Sequence, residues 1–148
     1  MGLKKPSLKR LKNKAWKLVS EYIRRKDADE GGTTRCFTCE KAIHWKYEAQ
    51  AGHAIGGRHN AVLLDVDILR PQCVACNVFK RGNYPIFTTK LIKENGMEWW
   101  EQKLEQSSQV VKLTRDDYEE IIGKYKRELD CLTCNSWGEN CQKCYEHR

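Results

Sequence analysis

The sequence predicts a small α+β domain. Three observations predict it: amphipathic helical periodicity near both ends, short β-compatible pieces between residues 42 and 68, and eight cysteines that fall into four Cys-x-x-Cys pairs. A chain of 148 residues suits one domain of the commonest size, with small appendages rather than a second core. The expected division is a basic N-terminal helix over 1–30, a central unit with C-terminal helices over 31–130, and a cysteine-rich knuckle over 131–148.

Leu8, Leu11, Ala15, Trp16, Val19, Tyr22 and Ile23 follow the helical period behind a Ser7 cap, so a helix is expected from about Leu8 to Lys26. Its opposite face is mostly Lys and Arg. Asp27 to Thr34, with Gly31-Gly32, reads as a turn into the first cysteine pair. Gly52 and Gly56-Gly57 break the β-compatible stretch from Ala42 to Ile68 into a twisted hairpin or loop. After Cys73 a short helix should run through Cys76, Asn77 and Lys80 and end at Gly82. Pro85 starts another helix, which carries Phe87, Leu91 and Ile92 and stops at Gly96. Met97 to Leu104 is a further helical piece, where Trp99 and Trp100 are expected to pack rather than stack on a base. Thr114 and Asp117 resemble a capping box, and Tyr118, Ile121, Ile122, Tyr125 and Leu129 give the clearest amphipathic helix.

Net charge is +7, and residues 1–26 hold ten Lys and Arg against the single acid Glu21. A basic stripe on a near-neutral domain suits contact with a phosphate backbone, since each neutralised phosphate releases a counterion. Lys9, Arg10 and Lys12 are the first candidates, joined by Arg58, Arg70, Lys80 and Arg81. The competing reading of this segment is a solvated basic helix. Nothing approaches the run of about eighteen apolar residues that a membrane span needs, so the expectation is a soluble cytoplasmic protein with no membrane partner.

Cysteines in such a compartment stay reduced, and a Cys-x-x-Cys pair places two thiolates on one tight turn. Cys36, Cys39, Cys73 and Cys76 can therefore complete one structural zinc site; a redox dithiol would need only one pair. Cys131, Cys134, Cys141 and Cys144 are spaced for a second zinc, with His147 able to replace one thiolate. The excursion between the first two pairs carries His53, and Asn77 follows the last ligand directly. Brought together, His53 could deprotonate a water while Asn77 holds a divalent ion against a phosphate oxygen.

Cys-x-x-Cys, then Gly52-His53, then Arg70-Pro71-Gln72-Cys73-x-x-Cys76-Asn77 and a following Lys-x-Gly-Asn resemble the HNH, or ββα-metal, endonucleases, and most closely the phage NinG (Rap) recombination endonucleases. The resemblance runs from about Ala15 to Leu129 and includes Tyr22-Ile23-Arg24. It implies a zinc-pinned ββα-metal core with flanking helices, whereas the C-terminal zinc knuckle rests on cysteine spacing alone and lies outside the resemblance. It also implies a hydrolase that cuts branched DNA such as Holliday junctions or D-loops, as a possible homodimer, in a phage-infected or prophage-bearing bacterium. In that reading His53 is the general base and Asn77 a ligand of catalytic Mg²⁺ or Mn²⁺. Many HNH nucleases place Asp directly before the base, where this chain has Gly52; Gln50 stands where NinG-like chains often have Asp; and the Asn that usually orients the base falls near Ile68. Asp65 and Asp67 are the candidates for the missing carboxylate, and Asn60 for the orienting amide. The alternative is a non-catalytic zinc-dependent DNA-binding or regulatory protein.

Overall fold

The computed structural model describes residues 5–57 and 59–134. Helix α1, Leu8–Arg25, begins where the Ser7 hydroxyl accepts from the Arg10 N–H at 3.3 Å. Its stripe Leu11, Ala15, Val19 and Ile23 is buried. The long C-terminal helix α5, Arg115–Thr133, starts from a complete capping box. The Asp117 carboxylate reaches the Thr114 N–H at 2.6 Å, so the shorter acid closes the box as well as Glu would. Tyr118 and Ile122 of α5 pack on Leu11 and Ala15, and Tyr125 packs on Val19 and Ile23. Each helix thus buries the apolar stripe of the other.

Between them lie two antiparallel hairpins. Strand β1 (Thr33–Arg35) pairs with β2 (Ala42–His44), and β3 (Ala49–His53) pairs with β4 (Leu69–Cys73). In the second hairpin Ala49 faces Cys73 and His53 faces Leu69. The excursion from 54 to 68 is more ordered than the pattern suggests, with a short helix α2 (Asn60–Leu63) and a 3₁₀ turn (Val66–Ile68). Neither is long enough to show a helical period. Ile68 is fully buried with Ala54, Val62, Phe87, Leu91 and Trp100, which fixes this excursion to the helical half.

After β4 the chain makes one π-helical turn, Ala75–Phe79, instead of a helix reaching Lys80. Gly82, at φ +88°, ends it by donating to the carbonyls of Cys76 and Asn77. Helix α3 (Tyr84–Asn95) carries Pro85 in its first turn and stops at Gly96; α4 runs Met97–Ser107, three residues past Leu104. Trp100 is buried, as a packing residue should be. Helix α5 continues through Cys131, and Cys134 caps it. Lys4, Arg58, Cys141, Cys144 and His147 lie outside the described residues. No helix among those described is long and apolar enough to cross a membrane.

Candidate functional site

Two turns bring the first four cysteines together. In the first, Glu40 donates to the Cys36 carbonyl and adopts φ +63°, which folds Cys39 back over Cys36. In the second, Cys73 ends β4 and Cys76 sits in the π-helical turn, where the Asn83 amide donates to its sulfur at 3.8 Å. All four sulfurs lie within 4.8 Å of one another, and Cys39 and Cys73 are 3.8 Å apart. A tetrahedron with metal–sulfur bonds of about 2.3 Å has edges of about 3.8 Å. The set could hold a structural metal such as zinc. Burial opposes ionisation of Cys36, but hydrogen bonds from the Thr38 hydroxyl and nearby backbone outweigh it and bring the thiol down to about 6. At Cys39 a backbone bond from Lys41 favours the thiolate, yet burial and the neighbouring sulfurs push it up to about 12. Four thiols this close cannot all ionise without a cation between them.

Gln72, which belongs to no ligand motif, is fully buried, and its amide donates to the Thr38 hydroxyl at 3.1 Å and to the Gly82 carbonyl at 2.9 Å. It therefore ties the first cysteine turn, strand β4 and the end of the second turn into one unit. Its side chain also lies over Gly52, where an added Cβ would run into Gln72 Oε1. That close approach explains why no side chain occupies the position before His53.

His53 and Asn77 line one cleft of about 480 Å³, together with Trp16, Ser20, Arg24, Ala49, Gln50 and Ala51. His53 Nε2 lies 3.1 Å from the Leu63 carbonyl, which can only accept. The neutral ring therefore carries its proton on Nε2 and presents Nδ1 as the acceptor. Trp16 stacks on the imidazole with ring centroids 5.1 Å apart. Asn77 donates from Nδ2 to Gln50 Oε1 at 2.8 Å, across the cleft. Trp16, Ser20 and Arg24 come from α1 at steps of four, beside its buried stripe. The sequence predicts an apolar packing face and a basic face for this helix; its spacing carries the cleft wall as well.

Several expected residues sit elsewhere. Asp65 and Asp67 do not line this cleft: Lys103 binds them at 3.0 and 2.7 Å, and Asp65 also caps the 3₁₀ turn. Burial alone would lower the Lys103 pKa, but the two carboxylates raise it, so both acids are already engaged by one ammonium. Asn60 does not orient His53, because its amide donates to the Val111 carbonyl and accepts from Tyr118. The Leu63 carbonyl takes that part. Arg70 is bound to Glu94 at 3.2 Å and to the carbonyls of Asp67 and Leu69, on another face. Lys9, Arg10, Lys80 and Arg81 are exposed.

Among known proteins, the family described as Bacteriophage Lambda NinG protein matches this chain over residues 3–135. No curated protein and no solved structure matches it.

Proposed function

The chain belongs to the bacteriophage lambda NinG family, and from that premise we propose that it is a DNA endonuclease acting on branched recombination intermediates of the Holliday-junction or D-loop type. The observation that carries the reading is His53: its ring is fixed by the Leu63 carbonyl and by Trp16 in a cleft it shares with Asn77. A base so held can take a proton from water at Nδ1 without a further cost of ordering. The ordered pieces β3, β4 and the π-helical turn run in the sequence of a ββα-metal core, and zinc in the four-cysteine site is the pin that holds their ends together. The four thiols suit zinc in number, softness and spacing, and a closed thiolate shell would make it structural rather than catalytic.

Catalytic Mg²⁺ or Mn²⁺, which the resemblance implies, does not fit the cleft lining well. These ions favour carboxylate oxygens, whereas the lining, among the described residues, offers the amides of Asn77 and Gln50 and no Asp or Glu. The same lack of a carboxylate favours the second reading, a binder of branched DNA that no longer cuts. A synthetic four-way junction and its matched linear duplex, each incubated with Mg²⁺, Mn²⁺ or EDTA, separate the two. Cuts near the branch support the enzyme; tight junction binding without cuts in every condition supports the binder.

A further inference from the structure

We propose that the cleft lined by Trp16, Arg24, Gln50, His53 and Asn77 is a phosphate seat in which Arg24 supplies the fixed positive charge. The identity of the anion, a DNA phosphate, rests on the DNA-processing reading; the seat itself rests on the charge distribution in the cleft. Arg24 is half-buried on the wall formed by α1. Its Nε donates to the Ser20 carbonyl at 3.1 Å and its Nη1 to the Trp45 carbonyl at 3.0 Å. Both partners are neutral. The adjacent Arg25 pairs with Glu21 at 3.0 Å, while Arg24 enters none of the ion pairs seen among the described residues.

Those two bonds hold the guanidinium in one orientation, and the Trp45 ring lies 5.7 Å away on one side. A partly desolvated cation whose hydrogen bonds go to neutral carbonyls is stabilised by an anion, and a guanidinium fork matches two oxygens of a phosphate at once. Burial disfavours the charged form of Arg24 and the nearby Glu21 carboxylate offsets only part of that, so an arriving phosphate would favour the charge further. The same wall continues one step back to Lys12, so a strand seated at Arg24 can follow the basic side of α1. Where HNH-type sites bring charge to the phosphate with an ion on a carboxylate, this cleft has the charge built into α1.

The test is an NMR titration of the zinc-loaded full chain with inorganic phosphate, read at Arg24 Hε, the Trp16 indole and the His53 ring. Saturable shifts confined to these groups are expected. Arg24→Gln should bind phosphate about tenfold more weakly, the scale of one charge-assisted pair, and Arg24→Lys should fall between. Lys126→Gln removes an exposed charge from α5 and should match the wild type. Shifts spread evenly over surface lysines, no shift at Arg24 Hε, or unchanged affinity in Arg24→Gln each overturn the proposal. Because Arg24 Hε is read in the wild type, the test survives a variant that fails to fold. Junction cleavage run beside it keeps the two ideas apart. Cleavage that is unaltered by Arg24→Gln ends the phosphate seat and leaves the nuclease, whereas phosphate held at Arg24 in a protein that cuts nothing does the reverse.

Discussion

The four-cysteine cluster and the His53 cleft are fastened to opposite ends of the same hairpin, yet they are built on opposite principles. At one end Cys73 faces Ala49; at the other, Leu69 faces His53. Four residues of strand separate them, roughly 13 Å at the usual rise. The cluster is largely buried, with three of its four cysteines shielded, and its donors are all of one kind. The cleft is open and mixed: an imidazole, two amides, an indole and a guanidinium, taken from α1, β3 and the π-helical turn. Rigidity and chemistry are therefore separated along the hairpin. One end fixes geometry through a metal-type site, and the other gathers part-exposed side chains that neighbouring groups orient.

The cluster end should be the more sensitive of the two. Cys73→Ser should abolish metal binding and unfold the β3–β4 unit, because structural zinc in such sites contributes folding free energy of several kcal/mol. Metal analysis with far-UV circular dichroism checks it, and one equivalent of zinc retained in a folded variant would break the contrast. Cys134→Ser, by comparison, should leave that unit folded, since Cys134 stands at the C-cap of α5 and belongs to neither strand.

Next in size is the position that joins the two ends. Gly52→Asp restores the acid that HNH-type sites place before the base, yet it should destabilise rather than activate. Its Cβ meets Gln72, and overpacking of this kind costs about 1–3 kcal/mol. Thermal denaturation of Gly52→Asp alone and with Gln72→Ala reads this directly: the second change should relieve the clash. Gln50→Glu is the contrasting case, because position 50 faces the cleft and Asn77 can still donate to a carboxylate. It should keep its melting temperature within a few degrees and gain Mn²⁺ binding measurable by calorimetry. A variant that folds but binds no Mn²⁺ would show that more than a carboxylate is missing.

The mildest change concerns α1 beyond the cleft. Neutralising Lys9, Arg10, Lys12 and Lys14 together should weaken binding to all DNA sequences alike and flatten its salt dependence by up to about 4 units of slope, one for each phosphate that is no longer neutralised. Fluorescence anisotropy at several salt concentrations gives the slope. An unchanged slope would return this face to solvent.

The contrast also separates what the sequence made legible from what it hid. The cluster was readable because paired cysteines announce ligation by spacing alone, and α1, α3 and α5 were readable because Ser7, Pro85, Gly96 and Thr114 mark helix ends locally. The cleft was only half readable. His53 and Asn77 stood out by their place beside the cysteines, but Trp16 and Arg24 come from a helix far off in the chain, and periodicity says which stripe is apolar without saying which neighbour it meets. Asp65 and Asp67 misled for the same reason: Lys103, which pairs with both, lies more than thirty residues later. The Leu63 carbonyl that orients His53 had no residue-type signal to find, since any residue supplies a carbonyl.

The proposed nuclease reading hinges on His53 as a positioned base, and a single-turnover cleavage rate on a four-way junction, compared between wild type and His53→Ala, decides whether it is one. The imidazole lies at the edge of the cleft rather than in the core, so the variant should keep its zinc, its fold and its junction affinity. Its cleavage rate should drop by about 10²-fold or more, the usual contribution of a general base. Equal rates in the two proteins, or a loss of cleavage that merely follows a loss of zinc or of folding, would contradict that role.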